Sequence, residues 1–346
     1  MSAEDAILLE RRGGLGLVTL NRPEALNTLS LAIYRRFDAA LAAWAEDPAV
    51  RAVVVRGAGG RAFCAGGDVV AIYAAYRQGG AIADFFREEY QLIRRVHRFP
   101  KPYVALMDGI TMGGGAGIAV NGSVRVATEH TLFAMPEVQI GLFPDVGASR
   151  FLAHCPGHIG RYLALTGRRL GAADALYCGL ATQFVAAERL PALTAALAEG
   201  GRDTAAGIAA FASDPGPAVL PPLQAAIDRC FDGASVETIV AALAAEDGGW
   251  AREALAAMER ASPTSLKITL RQLETGRGLT IEGALALEYR MTQHCLAAPD
   301  FLEGIRAQLI DKDRHPRWQP ATLEAVSERA VEGYFAPLGA RELRFS

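Results

Sequence analysis

The first half of the chain alternates short unbroken apolar runs with segments whose apolar residues recur every three or four positions. Leu17 to Leu20 is a β-favouring run that ends in the turn-like Asn21-Arg22-Pro23-Glu24. A helix is predicted next, with Ser30 or Thr28 as its N-cap. Tyr34, Phe37, Leu41 and Trp44 fall on one stripe of that helix, and Asp47-Pro48 stops it. Val53-Val54-Val55 then reads as a buried strand closed by Gly57-Ala58-Gly59-Gly60, giving a β-α-β crossover.

A second unit repeats the theme. Tyr103 to Met107, Val124 to Ala127 and Leu132 to Ala134 are strand-like, and the small residues Ala116 to Val120 pack as a helix. Between the two units, 84–99 is an amphipathic, charge-rich helical stretch. From about residue 160 the sequence turns Ala- and Leu-rich and helical, broken by Pro215-Gly216-Pro217 and Pro221-Pro222 and without a strand pattern. Helices are predicted at Val236–Leu243, Trp250–Arg260 and Ser265–Glu274. The expected architecture is an α/β core over 1–200 with a helical C-terminal region, 201–346, packed on it.

Composition narrows the function more than the fold. The 346 residues are 51% hydrophobic and 21% charged, enough for a sizeable core without metals or disulfides. The net charge of −3 gives no global field for nucleic acid or an anionic membrane. Five scattered cysteines without a CxxC pair read as reduced, inert thiols, Cys64 among them. The start MSAEDAILLERRGG fits neither a secretory signal nor an acid-poor transit peptide, and no apolar run approaches a membrane span, so a cytoplasmic location is expected. The six histidines show no ligand spacing, and no metal is implied.

Two glycine clusters carry the candidate chemistry: Phe63-Cys64-Ala65-Gly66-Gly67-Asp68 and Met112-Gly113-Gly114-Gly115-Ala116-Gly117. Glycine lets backbone N–H groups approach a ligand, and two such groups converging on one carbonyl oxygen form an oxyanion hole. The same glycines also suit tight turns alone. Gly57 to Ala62 fits a loose GxGxxA dinucleotide pattern, yet the glycine-containing loop continues to Gly67 where that pattern needs a helix. Asp68 reads as the cap of a helix starting near Val69.

These loops resemble those of the crotonase (enoyl-CoA hydratase/isomerase) superfamily. Gly57 through Asp68 is similar to the loop with the first oxyanion donor, and Asp108-Gly109-Ile110-Thr111-Met112-Gly113-Gly114-Gly115 to the loop with the second. The resemblance implies backbone donors at Gly67 and Gly114, a spiral ββα superhelix, and an acyl-CoA substrate, with coenzyme A as part of the substrate and no separate cofactor. It leaves open whether the chain forms a homo-oligomer.

Family hydratases use two glutamates, and the resemblance places them at positions 117 and 137. Here they are Gly117, without a side chain, and Glu137 in Met135-Pro136-Glu137. A further carboxylate, Asp145, stands where hydratases carry glycine. Glu137 and Asp145 are separated by a Gly- and Pro-containing turn that lets both face one acyl group. This pattern, with Phe85-Phe86-Arg87-Glu88-Glu89-Tyr90, Glu303-Gly304-Ile305-Arg306-Ala307 and Leu309-Ile310-Asp311-Lys312-Asp313, resembles the branch that hydrolyses 3-hydroxyisobutyryl-CoA in valine breakdown. It implies that Glu89 contacts substrate, that Glu137 is either nucleophile or general base, and that Asp145 is catalytic, orienting the substrate hydroxyl or the water or relaying a proton. The alternative is an enoyl-CoA hydratase or isomerase acting on another short acyl-CoA.

Overall fold

The unbroken apolar runs become the strands of a largely parallel sheet. In the computed structural model, residues 5–78, 82–200 and 203–345 are described; the first four residues of the acidic start lie outside them. The strands are β1 (Ile7–Arg12), β2 (Leu15–Leu20), β3 (Ala52–Gly57), β4 (Ala62–Cys64), β5 (Tyr103–Met107), β6 (Ile110–Met112), β7 (Val124–Ala127), β8 (Leu132–Ala134) and β9 (Gln183–Phe184). A six-stranded sheet runs β1-β2-β3-β5-β7-β9 and a three-stranded sheet runs β4-β6-β8. Each of β3, β5 and β7 is thus followed along the chain by a strand of the smaller sheet, and β5-β6 leads into the helix Gly114–Val120. That repeat is the expected ββα superhelix.

Internal packing divides the chain into two interleaved units. One comprises 1–67, 88–133 and 170–219; the other comprises 68–87, 134–169 and 220–346. In the first, β2 and β3 pair in parallel with the helix Leu31–Glu46 between them, the expected crossover. Ser30 caps that helix by accepting from the Ile33 N–H at 3.4 Å. Val53, Val54 and Val55 are fully buried because both faces of a parallel sheet are covered. One face carries Leu15, Leu17, Val54, Val104, Leu106 and Val126 against Leu190, Leu193 and Leu197 of the helix Leu190–Glu199. Each such side chain contributes about 1.5–3 kcal/mol on burial.

The second unit is helical, as expected for the C-terminal part. Its helices include Val236–Ala245, Gly249–Arg260 and Pro263–Gly276, close to the predicted spans, followed by Ile281–Ala297. The helix Val69–Arg77 begins at Asp68, whose Oδ1 accepts from the Ala71 N–H at 3.0 Å.

Four strands escape the sequence reading, among them β4, whose three residues read as part of the glycine loop. β1 pairs antiparallel with β2 but alternates poorly, its burial falling away towards Arg12. β6 has three residues, and β9, in the part expected to be strand-free, has two. Such lengths carry no period to detect.

Candidate active site

The first glycine loop is built by neighbours distant in sequence. The Ala65 N–H donates to the Leu26 carbonyl at 3.0 Å, and the Leu29 N–H to the Gly66 carbonyl at 2.9 Å. Leu26 and Asn27 take positive φ, 52° and 58°, to bring that segment alongside. Asn27, 1% exposed, explains how this is held: its amide donates to the Ala58 and Ala62 carbonyls at 2.9 and 2.8 Å and its oxygen accepts from the Arg22 N–H at 2.9 Å. Ala62–Cys64 is a strand and opens no helix, which removes the dinucleotide pattern.

The second loop meets the first. Gly66 sits at φ +114°, and a Cβ on it would lie 3.3 Å from the Met112 carbonyl oxygen and 3.5 Å from the Gly114 nitrogen. A Cβ on Gly114 would lie 3.3 Å from the Gly67 nitrogen. Gly114 begins its helix, so its N–H has no intrahelical acceptor. The same Cβ would stand 2.4 Å from Glu89 Oε1 and 3.0 Å from Tyr34 Oη. Gly67, Gly114 and Glu89 are therefore brought together in the first unit.

Glu89 is 3% exposed and accepts a hydrogen bond from the Tyr34 hydroxyl at 2.5 Å. Beneath the loop, burial pushes the Cys64 thiol up to about 12, opposed by its contact with the Gly66 carbonyl and reinforced by the charge of Glu89. Cys64 is thus a neutral packing group at ordinary pH.

Glu137 and Asp145 share one segment of the second unit, at 5% and 4% exposure. Glu137 opens the 3-10 turn Glu137–Ile140, closed by Gly141 at φ +70°. The turn is fastened by the Ser262 N–H on the Val138 carbonyl at 3.0 Å and by Gln139 Nε2 on the Ala257 carbonyl at 2.8 Å. Asp145 stands at a sharper bend, where Val146 and Gly147 take φ of +53° and +93°. Its carbonyl accepts from the Ala148 N–H at 2.9 Å.

That bend is held from behind. Glu288, wholly buried on the helix Ile281–Ala297, accepts from the Gly147 N–H at 2.7 Å and the Ser149 N–H at 2.9 Å. Gln272 Nε2 donates to the Pro144 carbonyl at 2.6 Å and to Ser149 Oγ at 2.8 Å. Burial raises the Glu288 carboxyl to about 8 against the pull of the Ser149 and Gly147 hydrogen bonds, with the charge of Asp145 adding to the rise.

Tyr34 and Glu288 are absent from the sequence-derived site. Periodicity places Tyr34 only on an apolar stripe. Glu288 lies three residues beyond Leu285 and four beyond Ala284, both buried, so a carboxylate on a buried stripe was the available signal. Among the described residues no cluster of His, Cys, Asp and Glu is arranged to hold a metal ion, and no helix is long and apolar enough to cross a membrane.

Comparisons place this geometry among known proteins. A model of the enoyl-CoA hydratase/isomerase family matches residues 15–335. The mitochondrial 3-hydroxyisobutyryl-CoA hydrolase of Xenopus tropicalis is 44% identical, covering 97% of this chain and 90% of its own. The Homo sapiens protein of the same name is 44% identical, covering 99% and 92%. Among solved structures, a carnitinyl-CoA dehydratase from Mycobacterium thermoresistibile superposes with a TM-score of 0.94 at 43% identity over 99% of both chains. An enoyl-CoA hydratase from Rhodobacter sphaeroides 2.4.1 gives 0.92 at 43% identity, covering 98% of this chain and 100% of its own.

The expected cytoplasmic location is overturned by the hydrolase relatives, which are named mitochondrial. That expectation rests on the acid-containing start and the lack of a spanning run, and neither carries the location against the relatives.

Proposed function

The chain belongs to the enoyl-CoA hydratase/isomerase family, and on that premise we propose that it hydrolyses 3-hydroxyisobutyryl-CoA to 3-hydroxyisobutyrate and free CoA, a step of valine breakdown. The observation that carries the reading is an exchange of side chains. Gly117 offers no carboxylate, while Glu137 and Asp145 stand buried on one segment. Water addition to an enoyl group in the family's hydratases uses two glutamates, and one is missing here. Thioester hydrolysis requires one base or nucleophile and a stabilised oxyanion.

The backbone N–H groups of Gly67 and Gly114 take the charge that develops on the thioester oxygen. Glu137 removes a proton from water as it attacks the carbonyl carbon, or itself attacks to form a mixed anhydride that water then opens. The C–S bond breaks and the leaving thiolate takes up a proton to become free CoA. Asp145 and Glu89 orient the substrate, and a hydroxyl on the acyl chain can donate a hydrogen bond to a carboxylate where an alkyl chain cannot.

A second reading, hydration or dehydration, is favoured by the names of the two solved structures at 43% identity. Parallel assays decide. With 3-hydroxyisobutyryl-CoA, free thiol accumulates; with a 2-enoyl-CoA, the enoyl absorbance persists. Glu137→Gln is expected to lower thiol release by roughly 10²-fold or more. Near-parental release by this variant, or enoyl hydration faster than thiol release, overturns the proposal.

A further inference from the structure

We propose that Glu288 is a positioning residue for hydrolysis: its carboxyl group ties down the backbone bend that presents Asp145, and Asp145 functions only while that tie is made. The inference rests on the reading of Asp145 given above. Three observations within the second unit carry it.

The bend is conformationally expensive. Val146 is β-branched and fully buried, yet sits at φ +53°, a region in which such residues are strained by about 1–3 kcal/mol. It persists only because its surroundings impose it. Glu288 supplies that imposition from the C-terminal side, with one carboxylate oxygen on the Gly147 N–H and the other on the Ser149 N–H. Gln272 fastens the two flanks through the Pro144 carbonyl and Ser149 Oγ.

The choice of residue also argues for position over bulk stability. Two backbone donors need two acceptor oxygens, which a carboxyl group provides, the protonated oxygen through its remaining lone pair, and a glutamine does not, since its NH₂ would face an N–H. A wholly buried carboxyl group within electrostatic reach of Asp145 is a poor device for stability alone, because burial and the neighbouring charge both oppose its ionisation. Its return is a fixed place for the Asp145 backbone.

A double-mutant cycle tests this on the full chain, measuring kcat and KM for 3-hydroxyisobutyryl-CoA in Glu288→Gln, Asp145→Asn and the double variant. Glu288→Gln is expected to lower kcat by roughly 10- to 100-fold with KM changed little, the scale of a small misplacement of a reacting group. The double variant is expected to be no slower than Asp145→Asn alone, because the tie has nothing left to position. A loss of folded protein would instead lower kcat by the same factor in either background. Multiplying losses, or a Glu288→Gln variant with parental kcat, overturn the proposal while leaving the role of Asp145 intact. A fully active Asp145→Asn overturns that role and this inference with it. If Glu288→Gln does not fold, Glu288→Asp, which keeps the carboxyl group but reaches less far, takes its place in the same cycle under the same criteria.

Discussion

Replacing Gly114 by alanine adds one methyl group at the proposed oxyanion hole, and the structure says what it meets. Gly114 lies outside the positive-φ region and begins a helix, so alanine suits its backbone. The new Cβ would fall 2.4 Å from Glu89 Oε1, about 1 Å short of an ordinary contact, and 3.3 Å from the Gly67 nitrogen. Glu89 cannot withdraw freely, because Tyr34 holds it at 2.5 Å and both side chains are buried. Either that bond breaks, at about 1.5–3 kcal/mol for a charged acceptor, or the Gly114 loop shifts and its donor leaves the oxyanion. Losing one such donor costs about 3 kcal/mol, or roughly 10²–10³ in kcat. Gly115→Ala is the contrast: its Cβ would meet the Cys64 carbonyl oxygen at 2.1 Å, a backbone atom that cannot turn aside, so stability is lost as well. Free-thiol release and thermal melts on both variants separate the effects. A Gly114→Ala protein with near-parental kcat would refute the placement of the oxyanion hole.

Tyr34→Phe removes the hydroxyl that fixes Glu89, and KM for the hydroxyacyl-CoA is expected to rise by roughly tenfold, in line with the loss of a hydrogen bond to a charged group; unchanged KM and kcat would count against substrate orientation by Glu89. Glu288, raised from 4.5 to about 8, keeps a proton in the native state that the unfolded chain releases. Its contribution is full below pH 4.5 and is lost as pH rises through 8. The total is at most about 5 kcal/mol. Urea unfolding should therefore show the parent losing more stability between those limits than Glu288→Gln does; parallel slopes would contradict the raised value. Gly333, exposed within the helix Glu328–Tyr334 with nothing near its would-be Cβ, is a site where alanine should raise stability by about 1 kcal/mol, read as a higher Tm.

Much of this was legible because the physics is local. Val53 to Val55 announce a strand buried on both faces, and Ser30 and Asp68 announce helix starts because a side-chain oxygen beside an unpaired N–H is a short-range device. The glycine loops were legible as loops, and the resemblance ordered them into donors. What was not legible depends on distant partners. Tyr34 meets Glu89 across 55 positions, and Glu288 meets Gly147 across 141. Periodicity tells which face of a helix is buried and is silent about what a polar tip on that face will touch. β9 was missed for a related reason: two residues become a strand only because β7 is there to pair with them.

The proposed oxyanion hole has no side chain of its own to lose. Its donors belong to the backbone, so at Gly67 the donor survives any substitution except proline, and the hole fails only when its loops change course. Mutational vulnerability is thereby displaced onto residues that never meet the substrate. Asn27 holds three backbone groups across two loops, and Leu26 and Leu29 fasten the glycine strand alongside. A survey for inactivating substitutions that looked only at acids, bases and nucleophiles would pass over the residues on which this catalyst is most fragile.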